Sequence, residues 1–439
     1  MCYRLKRLLF ALSFPLISHA QQTLYSGQLE GMAYFGTDAE LPFWMASNNF
    51  GRVEEESTVY GMAGFAARRE FSRWGFLEAG IGITATDAGD PAFRADHWYL
   101  TYENYWFGID AGKKQPEPEY GGLAAADPSW LRSNNARPMP GARIYTARPL
   151  FLDRKESFAF EAEWGEYVMD DDRAVDKARV HHKQLRFHYQ ATAQSKFVIG
   201  FEHFTQYDGR WPVTTEWLDG LADYATIVAG ARERDQSKNT PEIGGDWNQL
   251  AMYSLRYQWF WPKTRVEFFW DHMFEDGSGM RLSNFPDGRY GVFIKRTDDE
   301  VLWDSFIYEF YYTKNQSDGN DNYFNHGVFS SGWTYHKRMI GSPFFLPAED
   351  GSGIAVNELL VHHFGLGGDL WKLRYKALLS YRKNYGTPTV AYSGEREVLS
   401  GGLDITWQNK VLPVRLFIGA DWGDENKNAA VGIGFTKLF

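Results

Sequence analysis

The last twelve residues, Asn428 to Phe439, alternate with a period of two: Val431, Ile433, Phe435 and Phe439 on one side, Gly432, Gly434 and Thr436 on the other. Such a segment is a strand with one apolar face and one small or polar face. A closing strand of an outer-membrane β-barrel has this pattern, with the apolar face toward lipid and the other toward a wet lumen. Phe fills 33 of 439 positions, so a terminal Phe alone would occur by chance in about one such chain in thirteen. The reading therefore needs support from the rest of the chain.

The other end reads as an export address. Arg4, Lys6 and Arg7 precede the apolar run Leu8 to Ile17, and Ser18-His19-Ala20 precede Gln21. This is the charged, apolar and small-residue order of a secretory signal, with cleavage expected after Ala20. Residues 1–20 are then a leader and 21–439 a single barrel domain. Cys2, the one cysteine, lies before the apolar run and would leave with the leader, so no disulfide, thiolate metal site or cysteine nucleophile is expected. Removing the leader takes away three positive charges and no negative ones, moving the formal net charge from -10 to -13. That balance argues against nucleic acid. No later stretch approaches the roughly 18 to 20 apolar residues of a membrane helix, and a closed barrel is the other structure that satisfies its backbone inside a bilayer. The 17 Trp and 25 Tyr are enough for two interfacial aromatic girdles in contact with outer-membrane lipid.

Alternating segments recur along the whole chain. Leu373, Tyr375, Ala377, Leu379 and Tyr381 oppose Lys372, Arg374, Lys376, Ser380 and Arg382; Val414, Leu416, Ile418, Ala420 and Trp422 oppose Arg415, Phe417, Gly419 and Asp421. Charges inside a strand period suit a lumen face. The segments number between 16 and 19, with an even count preferred because both termini of such a barrel lie on the periplasmic side. The fold class expected is all-β, a transmembrane antiparallel barrel of about 18 strands with long external loops. Tight connections at Trp261-Pro262-Lys263 and Asn409 to Pro413 suit periplasmic hairpins; Gln115 to Ala142, Tyr207 to Gly245 and Gln316 to Gly353 suit external loops or inward plugs. Within the second, Thr215 to Ala231 has helical apolar spacing behind a Thr cap and predicts a short loop helix.

Two groups of segments go beyond barrel statistics. Leu41 to Gly51 (L-P-F-W-M-A-S-N-N-F-G), and Asn325-His326-Gly327 with Ser331 to His336 and Ile340 to Phe344, resemble the capsule assembly protein Wzi family in its Bacteroidota form. The resemblance covers nearly the whole chain after the leader. It implies an 18-stranded outer-membrane barrel that acts as a lectin-like anchor, binding and organising capsular or exopolysaccharide without enzymatic activity or cofactor. It also raises the polysaccharide export machinery as a partner. Enterobacterial members carry an N-terminal helical bundle that closes the periplasmic mouth; here strand-like Leu24 to Gly36 follows the leader directly.

His181-His182 and His362-His363 suggest metal ligands, but neighbours in a strand point to opposite faces and cannot chelate one ion as a pair. Glu161 with Glu163, or Glu117 with Glu119, would serve a glycosidase, yet almost any polar strand face offers such a pair, so neither catalysis nor a metal is expected. Candidate polysaccharide contacts are the loop tryptophans Trp130, Trp211, Trp217 and Trp333, whose rings could pack on the apolar face of a sugar. The basic residues Arg186, Lys372, Arg374, Lys376, Arg382 and Arg415 form either an anionic-polysaccharide patch or one side of a charge ladder answered by Glu161, Glu267, Asp271 and Asp421. Two rivals remain: a porin-like channel, which requires a lumen free of the long loops, and a soluble secreted carbohydrate-active β-protein, which requires the apolar faces to pack inward.

Overall fold

The computed structural model describes residues 23–72, 75–89, 91–210, 221–230, 247–298, 302–316, 321–424 and 427–439; the expected leader lies outside them. The long strands form one antiparallel sheet that closes on itself, and two short hairpins, Thr334–Tyr335 with Arg338–Met339 and Leu346–Pro347 with Ile354–Val356, lie in the loop after its thirteenth strand. In chain order they are β1 (Thr23–Gly36), β2 (Val59–Ser72), β3 (Gly75–Thr86), β4 (Phe93–Glu103), β5 (Phe107–Lys113) and β6 (Gly141–Thr146, resumed at Leu150–Phe151). Then come β7 (Phe158–Val168), β8 (Arg179–Thr192), β9 (Ser195–Tyr207), β10 (Asn248–Trp261), β11 (Thr264–Phe274), β12 (Gly288–Arg296) and β13 (Ser305–Tyr312). The last five are β14 (Glu358–Leu370), β15 (Leu373–Gly386), β16 (Ala391–Trp407), β17 (Val414–Gly423) and β18 (Lys427–Leu438). Both parts of β6 pair with β7, so the interruption at 147–149 leaves one strand, and the barrel strands among the described residues number eighteen. β1 pairs with β18 from Gln28↔Leu438 to Gly36↔Ala430, which removes the sheet edges.

The alternation read from the sequence sets the two faces. Leu379, Phe364, Ile418 and Ile433 are exposed on the outside, whereas Ser380, Arg382, His363 and Asp421 are buried within. An exposed apolar exterior around a polar interior inverts the arrangement of a soluble β-protein and excludes that rival. Short turns cluster at one end, where Trp106, Trp261, Trp371 and Trp407 stand exposed; Phe35, Phe93 and Trp422 stand exposed at the other. These are the two interfacial girdles. No described helix is long and apolar enough to cross a membrane, and the barrel crosses with strands instead. In the loop after β9, a helix runs over Leu221–Ala229, inside the span expected; its predicted cap, Thr215, lies outside the described residues. Lys183 on β8 donates to the Val228 carbonyl and Tyr224 donates to Glu166, so this helix is tied to the barrel rim.

Candidate functional site

Three loops fold inward and fill the lumen: 37–58, 114–140 and, of 313–357, the described residues 313–316 and 321–357. Pro42 opens a single helical turn, Phe43–Ala46, whose first amide donates to Asp421 on β17 at 2.8 Å. The neighbouring Trp44 ring lies 5.0 Å from the His363 ring on β14, and His363 also pairs with the Leu123 carbonyl at 2.8 Å. Two of the loops are thereby fixed to the wall at His363.

The loops also hold each other. Asn48 donates its side-chain amide to the Ala125 carbonyl at 2.9 Å and its backbone amide to Asn135 Oδ1 at 3.2 Å. Trp333 Nε1 donates to the Leu131 carbonyl at 2.7 Å, Asn135 to the Met339 carbonyl at 3.0 Å, and Ser133 Oγ to the Gly341 carbonyl at 2.6 Å. Arg338 reaches the carbonyls of Ala46 and Val53 at 2.9 and 2.8 Å. Trp130, Trp333, Phe324, Phe344 and Phe345 are fully enclosed at the centre. Each such side chain contributes about 1.5–3 kcal/mol of burial against about 1 kcal/mol for a typical hydrogen bond. Aromatic packing therefore supplies most of the plug's stability, and the hydrogen bonds fix its geometry.

Charge joins plug to wall. Arg289, fully buried on β12, binds Glu309 at 2.5 Å and Asp271 at 3.2 Å, while the second Glu309 oxygen accepts the Ala125 amide at 2.6 Å. Arg143 bridges Asp110 and Glu163 at 2.8 and 2.9 Å, and Arg132 from the plug adds a contact to Glu163 at 3.2 Å. Glu54 faces Arg94, Arg137 and Arg338; burial alone would raise its carboxyl, but the three guanidiniums outweigh burial and hold it below the usual carboxylate range. Asp127 accepts amides from Glu119, Tyr120 and Gly122, yet burial dominates and pushes its carboxyl up to about 6.

The residues singled out in the sequence do not form one patch. Trp130 and Trp333 are 0% exposed inside the plug, so neither presents a free ring face to a sugar; each is a packing residue, because its loop turns inward. Trp211 and Trp217 lie outside the described residues. Arg186 is paired with Glu119 at 2.7 Å, and Arg415 with Asp404 at 2.7 Å and Glu30 at 2.5 Å, as a charge ladder requires, although with acids other than those expected. Of the expected acids, Glu161 pairs with His188, and Glu267 and Asp271 face Arg256. Arg382 lies 4.0 Å over the Phe43 ring. Lys372 and Arg374 are exposed at the short-turn end, Arg374 beside Asp369 at 3.7 Å. The histidine pairs split as expected: His182 faces Glu163 and Glu202, while His362 meets the Tyr308 hydroxyl. Among the described residues, no group of three or more His, Cys, Asp or Glu side chains converges as metal ligands would.

Beneath the plug, toward the short-turn end, two chambers remain. The larger, about 1110 Å³, is lined by Arg68, Tyr99, Tyr145, Glu103 and Arg186 among others. The smaller, about 540 Å³, lies under Tyr120 and Gly121 and is walled by Arg265, Lys295 and Lys376. Only Lys376 of these three was singled out in the sequence. Arg265 and Lys295 stand at strand ends in apolar company, and only the register of β11 with β12 brings them to one wall.

The sequence profile of the capsule assembly protein Wzi family matches residues 44–359, a span that begins in the first plug loop and ends just after the third. In three dimensions the chain is similar to Wzi of Escherichia coli, described as an outer-membrane protein involved in group 1 capsule assembly and a carbohydrate-binding β-barrel. The two share 14% identity over 100% of this chain and 87% of that one, with a TM-score of 0.63. It is also similar to OpdQ of Pseudomonas aeruginosa, at 9% identity over 95% and 97% of the two chains and a TM-score of 0.50. No curated protein matches in sequence. At these identities the structural likeness speaks to fold alone.

Proposed function

Because the chain belongs to the capsule assembly protein Wzi family, an outer-membrane barrel family, we propose that it holds capsular or related surface polysaccharide at the cell exterior by binding, with no chemistry on the polymer. The observation that carries this reading is the plug. Loops 37–58, 114–140 and the described residues of 313–357 fill the lumen that a porin-like channel would keep open, so the surface presented to the outside is a scaffold for adhesion instead of a path for solutes. Capsule assembly is the family's part; attachment of finished polymer is the reading offered for this chain.

Loops carry function on a rigid scaffold. With Trp130 and Trp333 enclosed, Trp211 and Trp217 in the loop between β9 and β10 stand as the proposed sugar-stacking residues. Residues 1–20 are proposed as the export leader, and an export complex as the source of the polymer. The test is to compare cell-associated and shed polysaccharide in cells with and without the protein. Shedding with synthesis intact is expected on deletion, and Trp211→Ala should weaken retention without changing barrel abundance. Loss of synthesis, or a change in small-solute uptake alone, would overturn the reading.

A further inference from the structure

The smaller chamber holds an electrostatic imbalance. Arg265 on β11 stands directly opposite Lys295 on β12, and both line the chamber. Like charges at directly opposed cross-strand positions destabilise a sheet unless something neutralises them. Lys295 is answered locally by Asp304 at 3.0 Å and the Ser305 hydroxyl at 2.8 Å. Arg265 is not: its Nε is buried without a partner, and its guanidinium lies 5.3 Å over the Phe293 ring.

Lys376 on β15 enters the same chamber from the other side. Its cross-strand neighbour Asp404 is already held at both oxygens by Arg415, at 2.9 and 2.7 Å. Among the described residues, no carboxylate lies within ion-pair distance of either Arg265 or Lys376. The remaining acid of the wall, Glu119, is committed to Arg186. The roof is the plug turn Gly121-Gly122, with φ of 65° and 72°, and the space where a Gly121 side chain would stand is open. Two cations without a direct ion pair thus face a space of about 540 Å³, within the roughly 300–1,000 Å³ of typical ligand sites. Phe260, cross-strand partner of Arg265 and only partly buried, adds an apolar surface beside them.

We propose that this chamber, open toward the periplasmic end, binds a saccharide through one anionic group, a uronate carboxylate or a sugar phosphate, placed between Arg265 and Lys376. The guanidinium supplies a planar fork for the oxyanion and the ammonium a point charge opposite it. The pyranose ring lies against Phe260. This site is separate from the outer loops and would engage polymer on the side where it arrives. Its identity as a saccharide site rests on the polysaccharide reading above; its preference for anions does not.

The full-length protein in detergent should be titrated calorimetrically with digalacturonate, glucose 1-phosphate, inorganic phosphate and neutral maltose. Saturable, salt-sensitive binding of the two anionic sugars is expected, with maltose and free phosphate at least tenfold weaker. Lys376→Gln and Arg265→Gln should each weaken it tenfold or more, while Lys410→Gln, on a nearby turn, leaves it unchanged. Heat-modifiable gel migration of each variant verifies folding. Equal affinity for free phosphate and the anionic sugars overturns the saccharide assignment. No binding of any probe, or binding indifferent to both variants, overturns the site. A deletion strain that retains its polysaccharide while the purified protein still binds anionic sugars would count against the anchoring function alone.

Discussion

Phe43 and Phe344 stack face to face, ring centroids 5.7 Å apart and planes 8° from parallel, although they come from the loops after β1 and after β13. Arg382 of the barrel wall lies 4.0 Å from the Phe43 ring and 6.0 Å from the Phe344 ring, so this stack is where two plug loops and a strand meet.

Removing that stack should open the lumen. A Phe→Ala change in a packed core costs about 3–5 kcal/mol, and here the loss falls on the plug because the sheet keeps its own hydrogen bonds. In planar bilayers the wild-type barrel should conduct poorly, and Phe344→Ala should give frequent larger openings. Identical conductance in both would mean that the plug does not depend on this contact.

The faces of β15 make a second expectation. Leu379 is exposed among apolar neighbours, and Lys376 three positions away faces the chamber. Leu379→Arg should lower folding into vesicles by about 2–4 kcal/mol if it lies near the bilayer midplane, while Lys376→Gln should leave folding nearly intact. Equal tolerance of both changes, read by urea titration, would reverse the face assignment.

Arg289, Asp271 and Glu309 are all fully buried, and Arg289 is the cation between the two acids. Arg289→Met leaves Asp271 its contact with Arg256 at 2.6 Å but strands Glu309 in a low-dielectric interior, at a cost of about 3–5 kcal/mol. Because Glu309 also holds the Ala125 amide, hydrogen exchange at Ala125 should rise with the loss of stability. Unchanged protection there would separate the wall from the plug.

Asp127 gives the fold a pH dependence with a definite sign. Its carboxyl is raised from 3.8 to about 6, so between those values the folded protein holds a proton that the unfolded chain releases. Stability from this group is fully present below about pH 4 and is lost as pH rises through 6, up to about 3 kcal/mol for a shift of this size. The difference in urea stability between wild type and Asp127→Asn should therefore shrink from pH 4.5 to pH 7.5. A difference that stays constant would show that Asp127 titrates as an ordinary carboxylate.

The barrel was legible because its signal is local: Leu373 to Arg382 state both faces of β15 in ten consecutive residues. Strand number was legible only within a range, since the break after Thr146 divides β6 without ending it. The plug was harder. Its loops are long and rich in Gly, Pro and Asn, and nothing in that composition distinguishes a loop that projects from one that turns inward. Trp130 and Trp333 thus read as surface aromatics although they are the largest fully buried side chains of the plug. The pairing of charges was beyond sequence for a similar reason. Whether Lys376 meets Asp404, or loses it to Arg415, depends on the register of three strands and on side-chain reach.

The plug is assembled from two loops in the first third of the chain and one in the last third, which ends only at Asn357. A polypeptide that has laid down β1 to β13 still lacks the strands that flank Phe43 and close the seam at Gly36 and Ala430. The permeability barrier is therefore among the last features the chain can make. A product truncated before Gly36 meets Ala430 lacks the seam and the plug together, so wall and barrier are completed by the same last strands.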